Sequence, residues 1–192
     1  MIYTWQGSAT TSLESVRLVA AEGRVVRASG RFIAAADPRA GTEAFNASFD
    51  LTAGKPLSDG RLLIRATTGT EERQLSASRT DEGQWLVDRG AGSERNAFDG
   101  AMDLDVAGCV LFNSLPIRRL GLHREAAEHE LAVVYLSLPD LSVSLARQTY
   151  RTVSIDPAGG AVVEFRQGDF TAELTVDADG VVVDYPGVAT RI

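Results

Sequence analysis

Phe170-Thr171-Ala172-Glu173-Leu174-Thr175-Val176-Asp177 alternates apolar and polar side chains without a break. Successive side chains of an extended strand point to opposite faces, so this octet carries one oily face and one wet face. Half-buried antiparallel strands have that pattern. Phe45-Asn46-Ala47-Ser48-Phe49-Asp50-Leu51 repeats it, with Phe45, Ala47, Phe49 and Leu51 on one face. Less regular runs of the same kind cover 12–19, 24–35, 61–67, 71–79, 130–138, 147–155, 161–166 and 181–185.

Between these runs stand the residues that reverse a chain. Asp59-Gly60, Asp81-Glu82-Gly83, Pro157-Ala158-Gly159-Gly160, Gly168-Asp169 and Asp179-Gly180 all read as turns. A turn signal every ten residues or so predicts an all-β fold, mainly antiparallel, of the sandwich, barrel or roll type. Gly30 interrupts one run and is expected to mark a bulge or tight bend. Helix should be scarce; only Arg124-Glu125-Ala126-Ala127-Glu128-His129 is expected to make a single turn. The 192 residues fit one domain. A weak echo between Asp81…Gly90 and Asp179…Gly187 raises two similar β-units, about 1–90 and 130–192, joined by an irregular middle segment; ordinary hairpin grammar explains it equally.

Composition narrows the function classes. With 44% hydrophobic residues the chain can bury a core, and a net charge of −7 argues against nucleic acid as a partner. Lys55 is the sole lysine among 19 basic residues, so an anion site would be built from guanidinium groups. Cys109 has no second cysteine to pair with, and the N-terminal residues lack a basic, then apolar, leader. No apolar run reaches the length of a membrane span. These features predict a cytoplasmic chain with no integral membrane association. Oligomeric state is not readable.

From Ala101 to Leu122 the alternation stops. Here stand Asp103-x-Asp105 and Asn113-Ser114-Leu115-Pro116-Ile117-Arg118-Arg119-Leu120. Further on come Tyr135-Leu136-Ser137-Leu138-Pro139, Gln148-Thr149-Tyr150, and Asp177-Ala178-Asp179-Gly180 running to Asp184-Tyr185-Pro186-Gly187. Together with Trp5 and Gly83-Gln84-Trp85, these stretches resemble the putative glycolipid-binding family of bacterial proteins. The resemblance runs nearly end to end and is strongest after Ala101. It implies a spiral β-roll and the binding of a glycolipid or other lipid-like amphiphile.

The residues themselves suggest where such a molecule would sit. Asp103 and Asp105 share a strand face, and side-by-side carboxylates need partners unless water reaches them. Arg118 and Arg119 are the nearest guanidinium groups. Extended, they would point to opposite sides, one pairing with the aspartates and the other facing a cavity or solvent. An Asp–Arg network could simply hold the segment in register; alternatively an Arg grips a head group while an Asp accepts sugar hydroxyls. Pro116 is expected to fix a turn at 115–117, in either peptide isomer, which Asn113 closes. Tyr135, Tyr150 and Gln148 are expected near a cavity if one exists, although aromatics on strands are commonly core. Trp5, Trp85 and Tyr185 carry the same two readings.

Signatures for other chemistry are missing: no Gly-x-Ser-x-Gly elbow, no phosphate-binding glycine loop and no dinucleotide turn. No cofactor is expected, and His123 and His129 in a polar stretch are a poor metal site. Three functions stay open. The first is a binding protein for an amphiphile in a cavity of the roll. The second is a hydrolase or isomerase working through Asp103 and Asp105. The third is an interaction module with a filled core.

Overall fold

The computed structural model describes residues 1–19, 26–38, 41–53 and 60–192. Lys55, Asp59 of one expected turn, and residues 24–25 of one expected strand lie outside them. Among the described residues fifteen strands form one sheet. In chain order they are β1 (Ile2–Gly7), β2 (Ser12–Val19), β3 (Val26–Ala34), β4 (Phe45–Ala53) and β5 (Arg61–Thr67). Then follow β6 (Glu72–Arg79), β7 (Trp85–Asp88), β8 (Ser93–Asn96) and β9 (Asp103–Val106). After the helix α1 (Leu111–Leu120) come β10 (Glu128–Leu136), β11 (Val143–Ile155), β12 (Ala161–Gln167), β13 (Phe170–Val176), β14 (Val182–Tyr185) and β15 (Ala189–Arg191).

The strand order is β8-β7-β6-β5-β4-β3-β2-β1-β15-β14-β13-β12-β11-β10-β9. Two meanders therefore join where β1 pairs with β15. Every pairing is antiparallel except β9 with β10, which is parallel. Parallel neighbours need a crossover, and α1 supplies it.

This order forces curvature. Neighbouring strands lie about 4.8 Å apart, so fifteen laid flat would span roughly 65 Å. The chain passes from β8 at one edge to β9 at the other within seven residue steps, at most about 25 Å of backbone. The sheet must roll until its edges approach. The Phe98–Gly100 turn in this link is fastened to β11 by an Arg147–Asp99 ion pair. From the other side, the Trp85 indole N–H donates to the Ala101 carbonyl at 2.8 Å and Arg79 Nε donates to the same oxygen at 3.2 Å.

The alternation seen in sequence becomes the wall of this roll. Ala47, Phe49 and Leu51 of β4, Leu62 and Ile64 of β5, and Ala172, Leu174 and Val176 of β13 all face one continuous core. Trp5 and Trp85 belong to that core, and the Trp5 indole donates to the Val182 carbonyl at 2.9 Å.

Three local expectations change. Gly30 is no bulge: it keeps unbroken register with Val16 and Phe49. The Phe49 ring lies against it instead, and a Cβ there would fall 2.3 Å from the ring. Register shifts occur elsewhere, between Thr152 and Ser154 and between Thr175 and Val176. Pro116 does not make a turn but sits inside α1, and the cis peptide is Leu138–Pro139. Leu111, Phe112, Asn113, Ser114, Pro116 and Ile117 are all buried, so the helix is covered on most sides and shows no amphipathic stripe. Finally, Glu128 and His129 belong to β10 rather than to a helical turn.

Candidate functional site

The crossover β9–α1–β10 brings most of the singled-out residues to one end of the roll. Tyr135 on β10 stands opposite Asp105 on β9 in the parallel register. A cavity of about 250 Å³ opens there. Asp105, Asn113 and Tyr135 line it, as do Cys109, Gln167, Phe165, Phe170 and Tyr185.

Asp103 and Asp105 have different fates. Arg119 grips Asp103 with two bonds, Nε to Oδ1 at 3.1 Å and Nη2 to Oδ2 at 2.5 Å. That pair, with Asp103 buried and Arg119 half-buried, is closed on itself, and neither member lines the cavity. Asp105 has no cationic partner among the described residues. Gln148 Nε2 donates to its Oδ2 at 2.6 Å. Burial pushes the Asp105 carboxyl up to about 6, against the pull of the Gln148 amide and the Val106 N–H.

Gln148 and Tyr150 lie behind the cavity wall, fully buried on β11. They form a directed chain: Asn113 Nδ2 donates to Tyr150 Oη at 3.0 Å, and Tyr150 donates to Gln148 Oε1 at 3.0 Å. Gln148 then donates to Asp105, and also to Gln167 Oε1 at 2.8 Å. Such a chain orients the carboxylate from below while its other side meets the cavity. Burial holds the Tyr150 hydroxyl well above the usual phenol range, so it stays a neutral donor.

Arg118 and Arg119 diverge, as adjacent residues must, but from a helix rather than a strand. Arg118 leaves the cavity and donates to the Asp179 carbonyl. It fastens the Asp177-Ala178-Asp179-Gly180 turn together with His123, whose ring packs where a Gly180 Cβ would stand, 2.8 Å from Nδ1. His123 is buried with neither ring nitrogen hydrogen-bonded, and burial first, then Arg124, lowers its pKa. Among the described residues, therefore, no guanidinium lines the cavity.

Two contributions go beyond the sequence reading, which raises Tyr185 for an aromatic wall without its partners. Phe165, Phe170 and Tyr185 form a three-ring cluster, with centroids 6.0 to 6.3 Å apart, along one wall. Strand alternation marks Phe170 only as one more inward residue; the curl of the sheet leaves it 43% exposed at the cavity mouth. Glu14 on β2 is the other. Its carboxyl group accepts the Val110 N–H at 2.5 Å and the Leu111 N–H at 3.4 Å, capping α1 from across the roll. Burial raises it to about 8, with the Asp105 charge adding to the rise. Nothing local in Leu13-Glu14-Ser15 signals this role.

Comparison with known proteins can be set against this geometry. The family described as "Putative glycolipid-binding" matches residues 2–191. The chain belongs to that family. A crystal structure of a DUF1089 family protein from Pseudomonas aeruginosa is similar at 27% identity, covering 96% of this chain and 94% of that one, with a TM-score of 0.73. A beta-barrel-like protein of the domain of unknown function DUF1849 from Brucella abortus shares the fold at 9% identity, covering 99% of this chain and 92% of that one, with a TM-score of 0.64. Comparison with curated proteins finds no match. The description of this glycolipid-binding family names a ligand class but no residues. Of the Asp–Arg pairs expected from sequence, the one that forms, Asp103–Arg119, lies outside the cavity lining, which keeps Asp105 and the aromatic wall. Among the described residues no helix is long and apolar enough to cross a membrane.

Proposed function

We propose that this member of the family binds the polar head of a glycolipid-like amphiphile in the cavity bounded by β9, β10, β12, β13, β14 and the start of α1. The observation that carries this reading is the composition of the walls. Phe165, Phe170, Tyr185 and Tyr135 present ring surface, while Asp105, Asn113 and Gln167 present polar atoms between them. Ring faces against convergent hydroxyl-reading groups are the usual anatomy of a site for a sugar-like head. A volume of about 250 Å³ suits a single small head better than an entire lipid. The alkyl tail would leave past Phe170. Asp105 accepts hydroxyl protons, its direction fixed by the chain from Asn113 through Tyr150 and Gln148.

The hydrolase alternative needs Asp103 and Asp105 to act together, and Arg119 occupies Asp103. The interaction-module alternative needs a filled roll without a pocket; the interior is packed, and it is the cavity beside that core which favours binding. Native mass spectrometry of freshly purified protein should show a co-purified adduct. Titration with octyl β-glucoside below its micelle concentration should show saturable binding. Phe170→Ala, at the mouth, should weaken that binding about five- to tenfold, the value of one ring contact. Unchanged affinity in Phe170→Ala, or no binding at all, would remove this cavity from consideration.

A further inference from the structure

We infer that the head group taken by this cavity is cationic, an ammonium-bearing sugar or amine, seated with its charge against Asp105 and its body on the Phe165–Phe170–Tyr185 wall. This rests on the amphiphile-binding reading above and sharpens it.

Charge around the cavity is one-sided. Its described lining contains one carboxylate and no arginine, lysine or histidine. Titratable groups that sense the Asp105 charge are Glu14 from β2, Cys109 ahead of α1, Tyr135 from β10, Tyr150 from β11 and Tyr185 from β14. All are acids, each pushed up first by burial and further by that charge. Arg119, the cation paired nearest in this segment, is spent on Asp103 at 2.5 Å. A partly desolvated carboxylate with only amide partners gains most from a ligand that supplies the missing positive charge. An anionic head would meet that carboxylate and the ring faces with nothing to offset it.

The rings point the same way. Aromatic faces attract ammonium groups, and three rings in mutual contact beside a carboxylate make an acceptor for a cation with an apolar body. A neutral polyol could stack there as well, but it would leave Asp105 without its counter-charge. The chain's net charge of −7 adds long-range attraction of the same sign.

The test uses probes matched in tail and differing in head: octyl β-glucosaminide, octyl β-glucoside and octyl sulfate, titrated calorimetrically at pH 7 and low salt. The expected order is glucosaminide above glucoside by about tenfold, with sulfate weakest. Asp105→Asn should bring the glucosaminide-to-glucoside ratio to about one. Should that variant fail to fold, the wild type decides alone: lowering the pH from 7 to 5 should cost the glucosaminide affinity while Asp105 takes up its proton, and should leave the ratio near one. Equal affinity for the two sugars in wild type at pH 7 overturns the cationic head but leaves the amphiphile site standing. Absence of binding by all three probes overturns both.

Discussion

At the scale of single residues, the interior polar groups carry the consequences. Glu14 has an ordinary carboxyl pKa near 4.5 when unfolded and about 8 when folded. The folded state thus holds the proton more tightly, and this contribution to stability is full below pH 4.5 and lost as pH rises through 8. Asp105 has the same sign but is exhausted above about 6. His123 has the opposite sign, with its contribution lost only as pH falls below 6.5. Between pH 6.5 and 8.5 Glu14 therefore acts alone among these three. Urea unfolding of the wild type should weaken by a few kcal/mol across that interval. Glu14→Gln, which keeps a carbonyl for the Val110 N–H, should flatten the slope; an equally steep variant would contradict the assignment. The two arginines should separate as sharply. Arg119→Ala strands Asp103 in the interior and should cost roughly 2–4 kcal/mol in thermal or urea melts. Arg118→Ala loses one bond to an exposed carbonyl and should cost about 1 kcal/mol or less.

At the scale of elements, α1 is the instructive case. It tolerates Pro116 because the ring and its neighbours fill the core, offsetting the hydrogen bond that proline cannot donate. Its N-terminal residue Val110 offers no side-chain cap, so the cap comes from another strand. Its C-terminus closes on Gly121 at φ 72°, with Leu122 N–H donating to the Ile117 carbonyl at 3.1 Å. Space beside Gly121 is open. Gly121→Ala should therefore cost about 1 kcal/mol from backbone conformation alone, measurable as a lowered melting temperature. Gly30→Ala differs in kind: the new methyl meets the Phe49 ring inside a paired strand. A loss of about 1–3 kcal/mol is expected there, and a neutral result would mean that β4 shifts freely. The edge strand β8 is exposed at all four residues and pairs only with β7, so its amides should exchange faster than those of β4.

At the scale of the molecule, the roll and its inserted helix share one core. Unfolding should thus be a single cooperative transition by both tryptophan fluorescence and far-ultraviolet circular dichroism. Two separated transitions would support independent units at about 1–90 and 130–192. A saturating cavity ligand should raise the midpoint: at a hundredfold excess over Kd the gain is about 2.7 kcal/mol. For a chain of this size that corresponds to roughly 5–10 °C.

How much of this could be read in the chain follows from range. Strand periodicity is local, since each residue's face depends only on its neighbours, so Ser12–Val19, Arg61–Thr67 and Phe170–Val176 were legible without coordinates. So was the family, because its motifs are contiguous stretches. The Asp103–Arg119 pair was half-legible: partners are near in sequence, but which aspartate takes which arginine depends on a helix that its own burial disguised. Glu14 over Val110, 96 residues away, was not legible at all, and of the ring cluster only Tyr185 was singled out, without Phe165 and Phe170. Both exist because a fifteen-stranded sheet must roll to let β8 connect with β9. Alternation determined which side chains face inward; closure of the sheet alone decided which of them meet, and left one carboxylate without a cation.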